Sequence, residues 1–210
     1  MTTMRLDYLK QAWLVLALAL AFGGALAAVQ SAWGPKIEAN KRDFAQLKIP
    51  GIVLGTTGEA EAREALKSLK IDARQIELAQ PGGGRTVYTV YRVARAGELL
   101  GWVVKAAGQG YAGKIELLVG LDPPGATLTG LAVLVQTETP GLGNKIEMPA
   151  FRGQFRDRPA GLELTASPSP DAANEVAVCT TGATISSQAV CDIVNRTVDD
   201  VKPKLDELRK

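Results

Sequence analysis

An α+β domain with an antiparallel sheet, carried on a single N-terminal transmembrane helix, is the fold class this sequence predicts. Three observations predict it. Residues 11–35 carry no charge and are rich in Ala, Leu and Val. Four strand-like runs between 86 and 136 are separated by short glycine or proline turns, which suits antiparallel neighbours rather than β-α-β units. A last segment, 186–204, repeats its apolar residues at helical spacing.

The chain has 210 residues, enough for one domain and a short attachment. The apolar core of the first segment is 12–29, and Trp13 and Trp33 stand 20 residues apart. At ~1.5 Å per residue that separation is roughly 30 Å, the thickness of a bilayer's hydrocarbon core. Tryptophans at both ends match the aromatic belt of a spanning helix. Ala25-Leu26-Ala27 also fits the cleavage site of a secretory leader; an uncleaved anchor is the reading adopted. Arg5 and Lys10 precede the span, and Lys36, Lys41 and Arg42 follow it, a nearly even balance. A short tail before a single span resembles a signal anchor, which leaves residues 1–10 cytoplasmic and the bulk of the chain outside.

Residues 36–47 are charged and helix-compatible, a stalk that Pro50 and Gly51 are expected to break. Residues 59–70 place Ala62, Ala65, Leu66 and Leu69 at helical spacing, a short amphipathic helix. Gly82-Gly83-Gly84 reads as a hairpin turn, since no helix pattern follows to make it a phosphate loop. Strands are expected at 86–94, 99–106, 114–121 and 127–136, with Gly108-Gln109-Gly110-Tyr111 joining the second and third. Glu138-Thr139-Pro140-Gly141-Leu142-Gly143-Asn144 is either an ordinary reversal or a loop whose backbone approaches a ligand, since glycine removes the Cβ obstacle. Residues 151–155 suit a short helix or turn, and 162–166 and 175–179 short strands. The closing helix places Ala189, Val190, Ile193, Val194, Thr197, Val198 and Val201 on one face, with Ser186 or Ser187 as N-cap.

Composition excludes several function classes. With 24 basic and 22 acidic residues, net charge +2 and 5% aromatics, no nucleic-acid surface is expected. The chain contains no histidine. That removes a Ser-His-Asp triad, a Cys-His pair and any His-ligated metal or haem. Chemistry by this chain therefore implies a bound cofactor. Cys179 and Cys191 are too few for an all-cysteine metal site. They read as small buried residues, with a disulfide or a redox thiol as alternatives.

The run Thr180-Thr181-Gly182-Ala183-Thr184-Ile185-Ser186-Ser187 sets five hydroxyls around one glycine, ahead of the closing helix. Three readings are open: an N-cap with spare hydroxyls, an anion site at a helix N-terminus, or a nucleophilic Ser or Thr. The last fails, because no histidine can serve as base and no S-x-x-K places a lysine.

Thr181-Gly182-Ala183-Thr184 resembles the [ST]-G-A-T motif of the FMN-binding domain family. Gly108-Gln109-Gly110-Tyr111 with Gly113 resembles that family's G-x-G-[YF]-x-G segment, and Glu138–Gly143 its E-T-P-G-L-G loop. In this order, behind one N-terminal span, the motifs resemble the G subunit of Rnf/Rsx-type electron-transport complexes. The C subunit of the sodium-translocating NADH:quinone reductase is a relative and an alternative. The resemblance implies FMN bound covalently through a phosphoester at Thr184, installed by a separate flavin transferase. Thr181, Gly182, Ala183 and Ser187 would shape or supply that site, with Ser186 and Ser187 as added donors to the phosphate. Glu138, Thr139, Gly141, Leu142, Gly143, Gly110 and Tyr111 would lie near the flavin. It also implies electron transfer between ferredoxin and NAD, coupled to ion translocation, with other membrane subunits as partners. The domains so implied are a cytoplasmic tail 1–10, an anchor 11–34, a stalk and helical connector 35–80, and an FMN-binding domain 81–210 on the periplasmic side of a bacterial inner membrane. One position departs from the family pattern: three residues before Thr181, where the motif is acidic, stands Val178. A tethered non-redox scaffold that has lost its flavin is the competing reading.

Overall fold

A computed structural model describes residues 3–79 and 83–209, with residues 3–11 described for their backbone alone. The chain divides into two compact units, Met1–Phe44 and Ala45–Lys210.

The first unit lies on one continuous helix, α1 (Thr3–Val53). From Ala12 onward this helix is long and apolar enough to cross a membrane, with an 18-residue window of mean hydropathy 2.3, none of it buried. Leu20, Phe22 and Leu26 are exposed by 64–77%, as residues facing lipid would be. Met1 and Thr2 of the expected tail lie outside the described residues.

The expected break at Pro50 does not occur: the helix runs on to Val53. Proline forfeits one hydrogen bond to the preceding turn. Here the last turns belong to the second unit, and burial of Ala45, Ile49 and Ile52 against the sheet holds them helical. Arg156 then donates to the carbonyls of Gly51 (2.7 Å) and Ile52 (3.3 Å), two acceptors that a helix end leaves without partners.

After α2 (Glu59–Ser68) come five strands: β1 (Leu69–Ala79), β2 (Arg85–Arg95), β3 (Glu98–Gln109), β4 (Lys114–Leu121) and β5 (Thr127–Val135). A two-residue β6 (Arg158–Pro159) completes a sheet ordered β1 to β6. Every pairing is antiparallel, as the short turns imply. β1 was not expected and starts the domain well ahead of residue 81. Gly82 of the expected hairpin turn lies outside the described residues; Gly83 and Gly84 precede β2.

The sheet is covered on both faces. One face carries Val90, Trp102, Val104, Leu117 and Val119 and packs under α4 (Thr184–Val201), through Val190, Ile193, Val194 and Val198. The other carries Tyr91, Val93, Val103, Leu118 and Ala132 and receives the end of α1. Double burial explains why the strands read as near-continuous apolar runs. Gly120 of β4 faces Gly130 of β5, and this paired notch takes Ile52. A side chain at 120 would overlap Ile52 Cγ2.

Between β5 and α4 the chain forms a 3-10 turn (Gly143–Glu147), α3 (Pro149–Arg152) and a second 3-10 turn ending at Phe155. Two three-residue strands follow, β7 (Thr165–Ser167) and β8 (Glu175–Ala177), and pair parallel. α4 ends near Val201, and a short α5 (Leu205–Leu208) closes the chain.

Candidate functional site

The site is built where α4 begins. Thr180–Ala183 forms a β-turn closed by Ala183 N–H donating to the Thr180 carbonyl at 3.0 Å. Gly182, its third residue, has φ +86°, the left-handed value a type II turn requires there. Glycine is the residue that takes this value without strain. α4 then starts at Thr184, with Ala183 as N-cap, so neither serine is the cap; both lie inside the first turn.

Those two serines are committed internally. Ser187 is fully buried; its hydroxyl donates to the Ala183 carbonyl at 2.9 Å and accepts Cys179 N–H at 3.0 Å. Ser186, 4% exposed, donates to Glu138 Oε2 at 2.5 Å. Neither hydroxyl has its proton free for a phosphate, which corrects the expectation that they add donors. Thr181 and Thr184 are exposed. Ala183 offers no side-chain cap, and the N–H groups of Thr184, Ile185 and Ser186 find no backbone acceptor among the described residues. Thr184, exposed at the first helical position, therefore stands among three N–H donors without a backbone acceptor at the positive end of a helix dipole.

The proline-glycine loop makes a second turn of the same kind. Leu142 N–H donates to the Thr139 carbonyl at 3.1 Å, with Pro140 second and Gly141 third, at φ +78°. Apart from its chain neighbours, no heavy atom of the described residues lies within 4 Å of the space where a Gly141 side chain would begin, and at Gly182 the nearest such atom is Leu142 Cδ2, at 4.0 Å. The Cys179 thiol faces the Leu142 carbonyl at 3.8 Å, so the two turns lie side by side. Thr139 is exposed on the same loop, and Leu142 is 42% exposed.

The other glycines have a different reason. A Cβ on Gly110 would overlap Glu138 Oε1, and one on Gly143 would overlap Ser186 Oγ and come within 3.0 Å of Glu138 Cβ. A Cβ on Gly113 would overlap Thr137 Oγ1, and one on Gly108 would sit 2.5 Å from Ile193 Cγ1 of α4. At these four positions the protein closes on itself where a Cβ would stand. Glu138 is the residue they close around. It is 4% exposed, accepts Ala112 N–H at 3.1 Å as well as the Ser186 hydroxyl, and ties the Gly110–Gly113 turn to the first turn of α4. Its neighbour Tyr111 is 65% exposed.

Sequence reasoning missed Lys145. It follows the proline-glycine loop, and its Nζ reaches the Thr180 hydroxyl at 3.3 Å. Its place two residues past Gly143 was the available signal. The cysteines are free: Cys179 is half-buried, and Cys191 lies in the core under the sheet. Burial, with Asp192 alongside, pushes the Cys191 thiol up to about 12. Val178 donates its N–H to the Ser167 carbonyl at 3.1 Å, continuing the β7–β8 pairing.

Residues 110–199 match the FMN-binding domain family model. The chain is 37% identical over 147 residues to the G subunit of the ion-translocating oxidoreductase complex of Methanosarcina acetivorans, covering 67% of this chain and 75% of that protein. The chain belongs to this G-subunit family. It is also 33% identical over 149 residues to the G subunit of the Na(+)-translocating ferredoxin:NAD(+) oxidoreductase complex of Acetobacterium woodii, covering 70% of this chain and 69% of the relative. Its fold is that of the crystal structure of Shewanella oneidensis NqrC, with a TM-score of 0.62 at 18% identity, covering 81% of this chain and 99% of that one. The matched family region runs from Gly110 through the proline-glycine loop to α4, so it spans the Glu138 tie, both open turns and Thr184.

Proposed function

We propose that this chain is the electron-transferring G subunit of a membrane-bound, Rnf-type ion-translocating oxidoreductase and carries FMN covalently through Thr184. Its complex would pass electrons between ferredoxin and NAD and couple that flow to ion movement. The helix spanning from Ala12 would hold the domain on the extracytoplasmic side of the cytoplasmic membrane, against its partner subunits. The observation that carries this reading is the exposed Thr184 at a helix start with no side-chain cap, among three N–H groups without a backbone acceptor.

The residues present fit the group. The Thr184, Ile185 and Ser186 N–H groups would hold the phosphate oxygens, and the open faces of Gly182 and Gly141 leave room above the two turns. When bound, the isoalloxazine accepts and gives up electrons one at a time, so the lack of histidine is no obstacle. Forming the phosphodiester requires an activated flavin nucleotide. A flavin transferase would let Thr184 Oγ form the new P–O bond while the phosphoanhydride of a flavin dinucleotide breaks. The nucleoside monophosphate would leave, and the hydroxyl proton would pass to base or solvent. The domain itself supplies position: a fixed hydroxyl on a rigid helix start.

Intact-mass measurement of the chain from native membranes, with in-gel flavin fluorescence after denaturation, tests the reading. The expected result is one FMN-phosphoryl adduct on the native chain and none on a Thr184→Ala variant. An unmodified native chain, or a Thr184→Ala variant that keeps covalent fluorescence, would overturn it; the first outcome favours the tethered scaffold.

A further inference from the structure

The start of α4 has an imbalance of charge once it carries a phosphodiester. A helix N-terminus supplies roughly half a positive charge. Against it stand the phosphodiester, with one negative charge, and the Glu138 carboxylate, buried beneath the same first turn through its bond to Ser186. Ser186 and Ser187 cannot relieve the imbalance, because their hydroxyl protons are already given to Glu138 and to the Ala183 carbonyl. The Thr180 hydroxyl accepts from Lys145 Nζ at 3.3 Å, which holds that ammonium at the same turn.

Lys145 is the cation placed to restore the balance. It is half-buried on the 3-10 turn that follows the proline-glycine loop. No carboxylate lies within ion-pair distance of it among the described residues. Its ammonium reaches across 35 residues of sequence to the turn that leads into Thr184. That turn folds the chain back on itself, since Ala183 N–H closes on the Thr180 carbonyl, so Thr180 and Thr184 flank a single reversal. The ammonium has three donors, and the Thr180 hydroxyl takes one of them.

Resting on the flavin reading above, we propose that Lys145 is a phosphate-binding residue of this site. It offsets Glu138 and draws the flavin phosphate to Thr184, both while the bond is made and afterwards. Lys145 meets the anion, not the ring: any flavin nucleotide phosphate brought to Thr184 would meet the same cation.

The test uses the full-length chain produced with a flavin transferase, and follows covalent flavin with time by intact mass. Four proteins are compared: native, Thr184→Ala, Lys145→Gln and Lys145→Arg. One charge-assisted hydrogen bond corresponds to about a tenfold change. Lys145→Gln should therefore slow attachment about tenfold at low salt. The gap should narrow as salt screens the charge. Lys145→Arg should restore most of the rate, which a loss of packing alone would not allow. Equal rates for native and Lys145→Gln proteins, with matching thermal unfolding, would overturn this proposal while leaving covalent flavin intact. If Lys145→Gln does not fold, a native attachment rate independent of ionic strength would overturn it instead. A native chain that acquires no flavin would overturn both readings.

Discussion

Replacing Glu138 separates its holding role from that of a flavin contact. Glu138→Ala removes two hydrogen bonds to a charged acceptor, from Ser186 Oγ at 2.5 Å and Ala112 N–H at 3.1 Å. Such bonds are worth about 1.5–3 kcal/mol each. Two local rescues lower the total. Ala112 is exposed, so its N–H regains water. Ser186 can turn its hydroxyl back to a carbonyl four residues earlier, as Ser187 and Thr197 already do. The expected loss is therefore near the lower bound, about 3 kcal/mol. Glu138→Gln keeps an oxygen for Ala112 and offers an amide donor to the serine, so its cost should be about 1 kcal/mol. The assay is urea unfolding of the full-length chain in detergent. Trp102, 1% exposed beneath α4, reports loss of the core. A Glu138→Ala loss under about 1 kcal/mol, or a glutamine variant as damaged as the alanine one, would refute the tie between the Gly110–Gly113 turn and α4.

Three further outcomes follow from the packing and the titrating groups. Gly120→Ala forces a Cβ into Ile52 Cγ2, and overpacking of this kind should cost about 1–3 kcal/mol. Adding Ile52→Ala should recover part of that loss; simple additivity in the double-mutant cycle would count against the notch. Arg156→Gln should lower stability by about 1–3 kcal/mol in the same unfolding assay, because the Gly51 and Ile52 carbonyls lose their shared donor. Stability should also fall at alkaline pH. The unfolded Cys191 thiol releases its proton near about 8.5, while burial holds the folded thiol protonated up to about 12. Above about 8.5 the unfolded state thus binds fewer protons, and stability declines by roughly 1.4 kcal/mol per pH unit. Burial and its bond to Asp200 push Tyr88 upward as well, extending the decline above about pH 10. Unfolding curves from pH 8 to 11 should be steeper for the native chain than for Cys191→Ala; equal slopes would refute the assignment.

The sheet was legible because its central strands are buried on both faces and carry unbroken β-branched and aromatic runs. β1 was not, and the reason lies in its two ends. Leu69 and Ile71 pack on the face that receives α1, whereas Ile76 and Leu78 pack on the face under α4. Between them Asp72, Arg74 and Gln75 leave no single alternating stripe to read. Pro50 misled for a related reason. Its intrinsic cost is local, while the burial that overrides it comes from Tyr91, Val103 and Leu118, far along the chain.

At the site, glycine was the least legible residue, because one letter serves two opposite purposes. Gly141 and Gly182 are bare because a turn demands positive φ, and the space above them is open. Gly110, Gly113 and Gly143 are bare because a neighbouring side chain fills the volume. Only the first kind leaves room for a ligand. An alanine at Gly182 would therefore strain the turn without touching the core, whereas one at Gly143 would displace Ser186 and Glu138 together. The hydroxyls divide in the same way. Ser186 and Ser187 are consumed in building the helix start, and Thr184 is left exposed at its first position. The cluster that looked redundant as a cap therefore contains the internal supports of the helix start and, separately, an exposed threonine at its first position.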